Sequence, residues 1–440
     1  MSNTIAALAS APGRAGISVI RLSGDRSIPI LKDVFTPDSA KNAFIPRYLM
    51  LGTLKDGDNL IDECMAVVFK APHSYTGEDS AELHLHGGPL IVKQTLKLLY
   101  KKGAVPAAPG EYTRRAFENG KMDLSQAEAV MQLVNAQGEL SQKAALRQLQ
   151  GGTFSFVKDI QKQLTNMLSA IEAVLDFPEE LEDSFSNEEY AIQCENIAKK
   201  LKDSSDLRSA KLLNQGLELA IIGTPNSGKS SLFNALLMED RAIVTDIPGT
   251  TRDVLRQPIV MGGITVILND TAGIRDSEEA VEKLGVDRAK KEMEKADLLL
   301  IVLDGAGPLS REAYQLLNEN KDRKHVVLQS KYDLNQKPHL EGVEMFSSYT
   351  GEGIENIRRS ILKNADGIQD SELSLQRHVQ LALEASDSLI LAAQAFRQNI
   401  SLDLCAVNVQ SALNSLGAIT GSHVTEDVID AIFQNFCVGK

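Results

Sequence analysis

Apolar residues follow two rhythms along this chain. Up to about residue 118 they come in strand-length runs, Ile17–Leu22, Tyr48–Leu54, Cys64–Phe69 and Ala81–Leu85. The turn signals Ser23-Gly24-Asp25, Asp56-Gly57-Asp58 and Gly87-Gly88-Pro89 separate them. Ile28–Phe35 and Pro89–Lys101 carry the three- and four-residue spacing of amphipathic helices. Residues 1–118 are therefore predicted to form a small α+β domain.

From Glu111 onward the period lengthens. Leu124, Ala127, Met131 and Val134 repeat at helical steps, as do Phe156, Ile160, Leu164, Met167, Ile171 and Val174, with a break at Gly151-Gly152 and a stop near Asp176-Phe177-Pro178. An acidic stretch from Glu179 to Glu189 reads as a solvated connection. Helical spacing returns at Leu375, Val379, Ala382, Leu389, Ala393 and Phe396, then over 402–416 and 426–436. About seventy residues of helix make a thin core alone, so this tail is predicted to pack against the helices of 119–212. The expected architecture is multidomain: an α+β N-terminal domain, a discontinuous all-α domain of residues 119–212 and 373–440, and an inserted α/β domain of residues 213–372.

The inserted stretch carries the most specific chemistry. An apolar strand pattern, Leu217 to Ile222, runs into Gly223-x4-Gly228-Lys229-Ser230, and helical spacing follows at Leu232, Phe233, Leu236 and Leu237. Such a loop curls so that successive N–H groups converge on phosphate oxygens, including those of Asn226, Ser227, Gly228, Lys229, Ser230 and Ser231. Lys229 supplies a point charge, Ser230 a hydroxyl for Mg²⁺, and the helix its positive end. Next comes Thr245-Asp246-Ile247-Pro248-Gly249-Thr250-Thr251-Arg252-Asp253, whose Thr251 hydroxyl is a second Mg²⁺ candidate. A strand at Ile264–Leu268 leads to Asp270-Thr271-Ala272-Gly273, a carboxylate and a glycine suited to Mg²⁺ and γ-phosphate. Further strands end in Asp304-Gly305 and in Ser330-Lys331-Tyr332-Asp333, where Asp333 is placed to accept from guanine; Ser347-Ser348-Tyr349 is a weaker base-contacting loop. These elements in this order match the Ras-like, translation-factor-like small GTPases, with two departures. Ser330 stands where an Asn is usual, which predicts weakened but still guanine-selective binding. Ile274 follows Gly273 where a water-orienting Gln is common, and no arginine finger is evident, so hydrolysis needs another group.

Composition narrows the classes. At 440 residues and 43% apolar the chain can bury several cores, and its longest apolar runs are far too short for a membrane span. No signal-peptide layout opens it, so a cytoplasmic location is expected. Cys64, Cys194, Cys405 and Cys437 are scattered and read as free thiols. His84 and His86 lie two apart on one strand, a pairing read as turn-capping rather than as a metal site. A net charge of −13 argues against a surface that tracks nucleic acid throughout, and no Trp offers a stacking platform.

PGEYTRRAFENGKMDLSQAEAV (109–130), GTPNSGKSS, TDIPGTTRD, DTAGIRD and the terminal FCVGK (436–440) resemble the bacterial tRNA-modification GTPases of the MnmE (TrmE) family over the whole chain. The resemblance implies an N-terminal domain that forms a homodimer and binds 5-formyltetrahydrofolate or a related tetrahydrofolate, with Arg21, Glu82, Lys121 and Lys440 at the folate positions. It also implies K⁺ in place of an arginine finger, held at Asn226, Thr245, Ile247 and Thr250, and Glu282 as the glutamate that orients the attacking water. The implied activity is GTP hydrolysis coupled to a carboxymethylaminomethyl-type modification at C5 of the wobble uridine of certain tRNAs. The implied partner is the flavin-dependent MnmG (GidA), in a heterotetramer. Cys437 is a candidate for the one-carbon chemistry. The rival reading is a regulatory switch in ribosome assembly, which typically brings a basic RNA-binding domain that is not evident here.

Overall fold

The computed structural model describes residues 3–39, 43–181, 186–240, 256–270, 294–368 and 371–440. They divide into two compact units: Met1–Met131, Leu149–Phe185 and Ser401–Lys440 in the first, Gln132–Gln148 and Ser186–Ile400 in the second. In chain order the elements are β1 (Ile5–Leu8), β2 (Ile17–Ser23), α1 (Ser27–Val34), β3 (Phe35–Pro37), β4 (Met50–Asp56), β5 (Asn59–Phe69), β6 (Ser80–His86), α2 (Pro89–Lys101), β7 (Val105–Pro106), α3 (Glu111–Glu118), α4 (Leu124–Asn135), α5 (Glu139–Leu149), α6 (Gly152–Asp176) and α7 (Pro178–Leu181). There follow α8 (Asn187–Asp203), α9 (Leu207–Gln215), β8 (Leu217–Gly223), α10 (Lys229–Asp240), β9 (Arg256–Met261), β10 (Ile264–Asp270), β11 (Leu298–Leu303), α11 (Arg311–Glu319), β12 (His325–Gln329), β13 (Glu344–Met345), α12 (Ile354–Lys363), α13 (Gln376–Arg397), α14 (Leu402–Thr420) and α15 (Glu426–Phe433).

The first unit is built on a seven-stranded sheet in the order β3-β4-β5-β6-β2-β1-β7. Successive side chains of a strand face opposite ways. Ile20 and Leu22 of β2 therefore share a buried face with Ala81, Leu83 and Leu85 of β6, beneath Ile30 and Leu31 of α1 and Leu98 and Leu99 of α2. Arg21, Glu82 and His84 fall on the other face, and antiparallel register sets Arg21 directly opposite Glu82. α14 packs along α6. Phe433 and Phe436 close a smaller core with Leu124 and Ala127, against which Phe117 packs.

The second unit contains a six-stranded sheet, β13-β12-β11-β8-β10-β9, parallel except at β9. Its central strands are buried on both faces, as parallel strands covered by helices must be. Leu219 and Ile221 of β8 join Leu300 and Val302 of β11 in one core, while Ala220, Ile222, Leu299 and Ile301 join the other. α10 and α12 cover the first face, through Leu232, Leu236, Ile357 and Ile361, and α11 the second, through Ala313. Beside the sheet, α13 packs along α8 and α9. Small buried residues, Ala191 and Ala198 on α8 and Ala382 and Ala385 on α13, let those helices approach closely.

The expected fold class is present, an α+β portion, helices and an α/β P-loop domain. Most predicted elements sit within a residue or two of their expected ends; β5 starts five residues earlier than the apolar run alone indicates. The short strands β1, β3 and β7 and the edge strand β9 carry no strand-length apolar pattern of their own. An interruption at 136–138, which the helical spacing does not show, separates α5 from α4.

Candidate functional site

The phosphate-binding loop leaves the end of β8, the central strand, where doubly wound sheets place their ligands. A Cβ on Gly223 would stand 2.3 Å from the Val302 carbonyl oxygen, so only glycine lets β8 run against β11 at this point. Asn226 adopts φ +60° and Gly228 φ +95°, left-handed conformations that curl the loop. Lys229 Nζ donates to the Thr224 carbonyl at 2.7 Å, which holds the ammonium across its own loop. Ser230 and Ser231 occupy the first turn of α10. The Ser227 hydroxyl is fully buried and has no hydrogen-bond partner among the described residues.

Parallel register pairs Asp270, the last residue of β10 and the first of the Asp-Thr-Ala-Gly motif, with Ile221 of β8, so β10 ends beside the strand that feeds the phosphate loop. Thr245, Ile247, Thr250, Thr251, Thr271, Ala272, Gly273 and Glu282 lie outside the described residues.

On the other side of β8, the segments expected to read the base emerge next to each other. The Phe346 N–H donates to Gln329 at 2.9 Å and the Tyr332 N–H to Phe346 at 3.0 Å. Ser330 is 2% exposed, and its Oγ donates to the Leu303 carbonyl at 3.2 Å. A Cβ on Gly228 would come 3.2 Å from the Ser330 Cβ, so this residue backs directly on the phosphate loop. Lys331, at φ +58°, bonds Asp304 at 2.7 Å. Partial burial pushes the Asp304 carboxyl upward, but Lys331 and the Ala306 N–H outweigh it and hold the group below its ordinary range. Asp333 is exposed, and the buried Ser347 accepts from the N–H groups of Tyr349 and Thr350 at 3.3 Å, which shapes the loop that holds exposed Ser348.

A second polar constellation lies in the first unit. Arg21 Nε donates to Glu82 Oε1 at 2.9 Å, and His84 Nε2 lies 3.4 Å from the other carboxylate oxygen. The guanidinium stands over the rings of Tyr75, 5.6 Å from its centroid, and Tyr112, at 5.7 Å. Tyr112 donates its hydroxyl to the Arg21 carbonyl at 2.7 Å. The bond from His84 depresses the Glu82 pKa most; burial opposes it and Arg21 reinforces it, so Glu82 is an ionised, oriented acceptor. Burial pushes the Tyr75 and Tyr112 phenols up. Lys121 is exposed and donates to the Pro72 carbonyl at 3.0 Å.

The chain's last residues return to this side of the unit. Val438 bridges Pro109, the Gly110 N–H donates to Cys437 at 3.4 Å, and the Tyr112 N–H donates to Lys440 at 3.2 Å. Cys437 is exposed while Cys64, Cys194 and Cys405 are buried, and burial raises the Cys64 thiol to about 12. Arg21 and Glu82 are in direct contact, and Lys440 is tied through its backbone to Tyr112, which stands against Arg21. Lys121 reaches the Pro72 carbonyl instead and bonds neither of them among the described residues. Tyr75, Tyr112 and His84 join this cluster without a spacing pattern that marks them; Tyr112 lies in the conspicuous GEYTRRAF stretch, its one signal in the sequence. His86 instead pairs with Asp62 at 2.7 Å, and no group of three or more metal-ligating side chains occurs among the described residues.

A phosphate loop at the end of the central parallel strand, with a carboxylate-bearing motif leaving the adjacent strand, defines a P-loop GTPase joined to an α+β unit and long helices. A family model described as the MnmE helical domain matches residues 124–437, and one described as the N-terminus of the GTP-binding protein TrmE matches residues 4–121. The tRNA modification GTPase MnmE of Thermotoga maritima is 40% identical over 454 residues, covering all of both chains. That of Aquifex aeolicus is 38% identical over 452 residues with the same coverage. Among solved structures, the G domain of the T. maritima FeoB iron transporter is 30% identical, covers 34% of this chain and 99% of its own, and has a TM-score of 0.26. The chain belongs to the MnmE (TrmE) family.

Proposed function

We propose that this GTPase uses hydrolysis of GTP to drive modification of C5 of the wobble uridine in certain tRNAs, taking a one-carbon unit from a tetrahydrofolate and working with a flavin-dependent partner of the MnmG kind. The observation that carries the reading is the coexistence in one chain of a phosphate loop and the Arg21–Glu82 constellation, in a family whose members are named tRNA modification GTPases. Residues 213–372 act as the GTPase domain, inserted between helical segments 119–212 and 373–440, and residues 1–118 as the folate-binding and dimerising domain.

The residues present suit the groups this function requires. Glu82 is ionised and held from both sides, and each of its oxygens has a second lone pair, so it can accept from the ring N–H groups of a pterin. Arg21, Lys121 and Lys440 offer cations to folate carboxylates, and the Tyr75 and Tyr112 rings flank the Arg21 head. In the phosphate loop, Ser230 and Thr251 would hold Mg²⁺, and Asn226, Thr245, Ile247 and Thr250 offer the neutral oxygens that would hold K⁺. Bound there, these cations supply positive charge where negative charge develops in phosphoryl transfer. Lys229 holds the β/γ-phosphates, Asp333 selects guanine, and Glu282 orients the attacking water. Cys437, exposed on a tail fixed against Gly110 and Tyr112, is the thiol available to one-carbon chemistry. The protein works in the cytoplasm as a homodimer within a larger assembly with its flavin-dependent partner.

The test is mass spectrometry of wobble nucleosides in tRNA from cells lacking the protein, with complementation by wild type and by Lys229→Ala. Loss of the C5 group, restored by wild type alone, is expected. An unchanged nucleoside profile refutes the reading.

A further inference from the structure

Helix α5 is tied at three places to the rest of its own unit, in or beside the stretch proposed as the GTPase domain. At its start, the Leu140 N–H donates to the Gly263 carbonyl at 3.0 Å. Gly138 lies so close that a Cβ on it would stand 2.5 Å from that carbonyl oxygen. Ser141 Oγ donates to the Leu213 carbonyl at 2.6 Å, just ahead of β8. Near its other end, Gln148 accepts from Ser374 Oγ at 2.9 Å, just past the stretch proposed as the GTPase domain. Asn214 Nδ2 joins the incoming and outgoing chains by donating to the Ser374 carbonyl at 2.6 Å. Two of the attachments thus hold the ends of the inserted stretch, and the third holds the turn of the β9–β10 hairpin.

That hairpin is joined by the chain to two of the expected nucleotide loops. β9 begins at Arg256, just after the Thr245–Asp253 motif, and β10 ends at Asp270, where the Asp-Thr-Ala-Gly motif begins. β9 is an edge strand, paired on one side only. The turn is wedged: a Cβ on Gly262 would meet Leu362 of α12 at 2.9 Å, and one on Gly263 would meet Leu140 at 3.3 Å. A paired hairpin moves as a stiff piece, so a shift at its loop-bearing end reaches the turn.

We propose that Gly138 and Leu140 are positioning residues for the nucleotide loops. By seating the hairpin turn on α5, they couple the loops at the hairpin's far end to a helix that also bonds the chain at both ends of the inserted stretch. The proposal rests on reading residues 245–253 and 270–273 as nucleotide-contacting. If the nucleotide shifts the hairpin, the Leu140–Gly263 bond differs between GTP and GDP states. By linkage, altering the seat must then alter the ratio of the two affinities.

Hydrogen exchange on the full-length protein, with GDP and with a non-hydrolysable GTP analogue, tests this directly. Protection of the peptide spanning 138–148 is expected to differ between the two nucleotides. Gly138→Ala is expected to change the GTP-analogue-to-GDP affinity ratio about fivefold. Leu140→Ala, which keeps the backbone bond and removes the side chain under Gly263, is expected to shift the ratio less in the same direction, and keeps the test open should Gly138→Ala fail to fold. Nucleotide-dependent protection at residues 223–231 with none at 138–148, or unchanged affinity ratios in folded variants, overturns the coupling. A phosphate loop indifferent to both nucleotides overturns the nucleotide reading itself, and the coupling with it.

Discussion

Replacing Ser330 with Asn asks how the base side of the nucleotide site is built. Ser330 sits at the end of β12 with both its N–H and its Oγ directed to the Leu303 carbonyl, at 3.0 and 3.2 Å, so its hydroxyl is committed to the sheet. On its flank stands Gly228, and the residue before that, Ser227, keeps a buried hydroxyl without a partner among the described residues. An Asn carboxamide brings one acceptor and two donors to this junction. A neutral hydrogen bond nets about 0.5–1.5 kcal/mol, so two new ones, to the loop and to the bound base, amount to about 1–3 kcal/mol, or about 5- to 150-fold in Kd. Crowding opposes this, since overpacking a closed site costs about 1–3 kcal/mol. The flank is a glycine rather than a side chain, so the smaller cost applies. The net expectation is that Ser330→Asn tightens GDP binding about fivefold, near 1 kcal/mol, and leaves intact the ADP discrimination proposed for Asp333. Isothermal titration calorimetry of both proteins with GDP and ADP in Mg²⁺ measures this. A folded variant with unchanged or weaker GDP affinity would refute the view that Ser330 marks a missing contact.

GTP hydrolysis is expected to be much faster in K⁺ than in Na⁺, and Glu282→Ala is expected to bind GTP without turning it over; equal rates in the two salts in a phosphate-release assay would remove the cation. Glu82 has a folded pKa below its unfolded value, so its contribution to stability is present above the unfolded pKa, about 4.3, and is lost as pH falls through the folded value. Glu82→Gln should therefore lower Tm at neutral pH by an amount that vanishes on acidification, and should weaken tetrahydrofolate binding; a Tm difference independent of pH would count against an ionised Glu82. Cys437→Ser should leave GTP hydrolysis unchanged and abolish wobble modification, and full modification in that variant would take the thiol out of the chemistry.

Much of the fold was legible because it is written in local periodicity. β2, β6, β10 and β11 alternate or run apolar over their whole lengths, and α2 has the predicted ends because Pro89 starts it and Gly103 follows it. The strands that escaped notice owe their existence to partners rather than pattern. β1 is four residues of IAAL, a sequence as fit for a helix, and it is a strand because it lies between β2 and β7. β9 contains Pro258 and opens with Arg256 and Gln257, which is tolerable at a sheet edge and depresses any strand signal. The end of α4 was obscured because Ala136 and Gln137 are good helix formers, while the interruption is set by Gly138 meeting Gly263, 125 positions away by their numbers.

The candidate sites divide along the same line. A phosphate loop is legible because its work is done by backbone, and backbone curvature demands particular residues at fixed spacing: Gly223, Gly228 and the left-handed Asn226 are one local solution. The Arg21–Glu82 pair is the opposite case, since its members come from strands 61 positions apart and neither stands out from other charged residues in the sequence. What makes that pair distinctive is its setting. It lies on the sheet face that α1 and α2 leave uncovered, His84 is on the same strand face, and two tyrosines stand around the guanidinium. A slip of one residue between β2 and β6 would turn Ile20 and Leu22 out of the core. The hydrophobic alternation that builds the core therefore puts Arg21 and Glu82 on one face, and the register of the two strands sets them opposite each other. A mutation disturbing that register, at Leu83 for example, should damage the polar constellation as severely as a substitution within it.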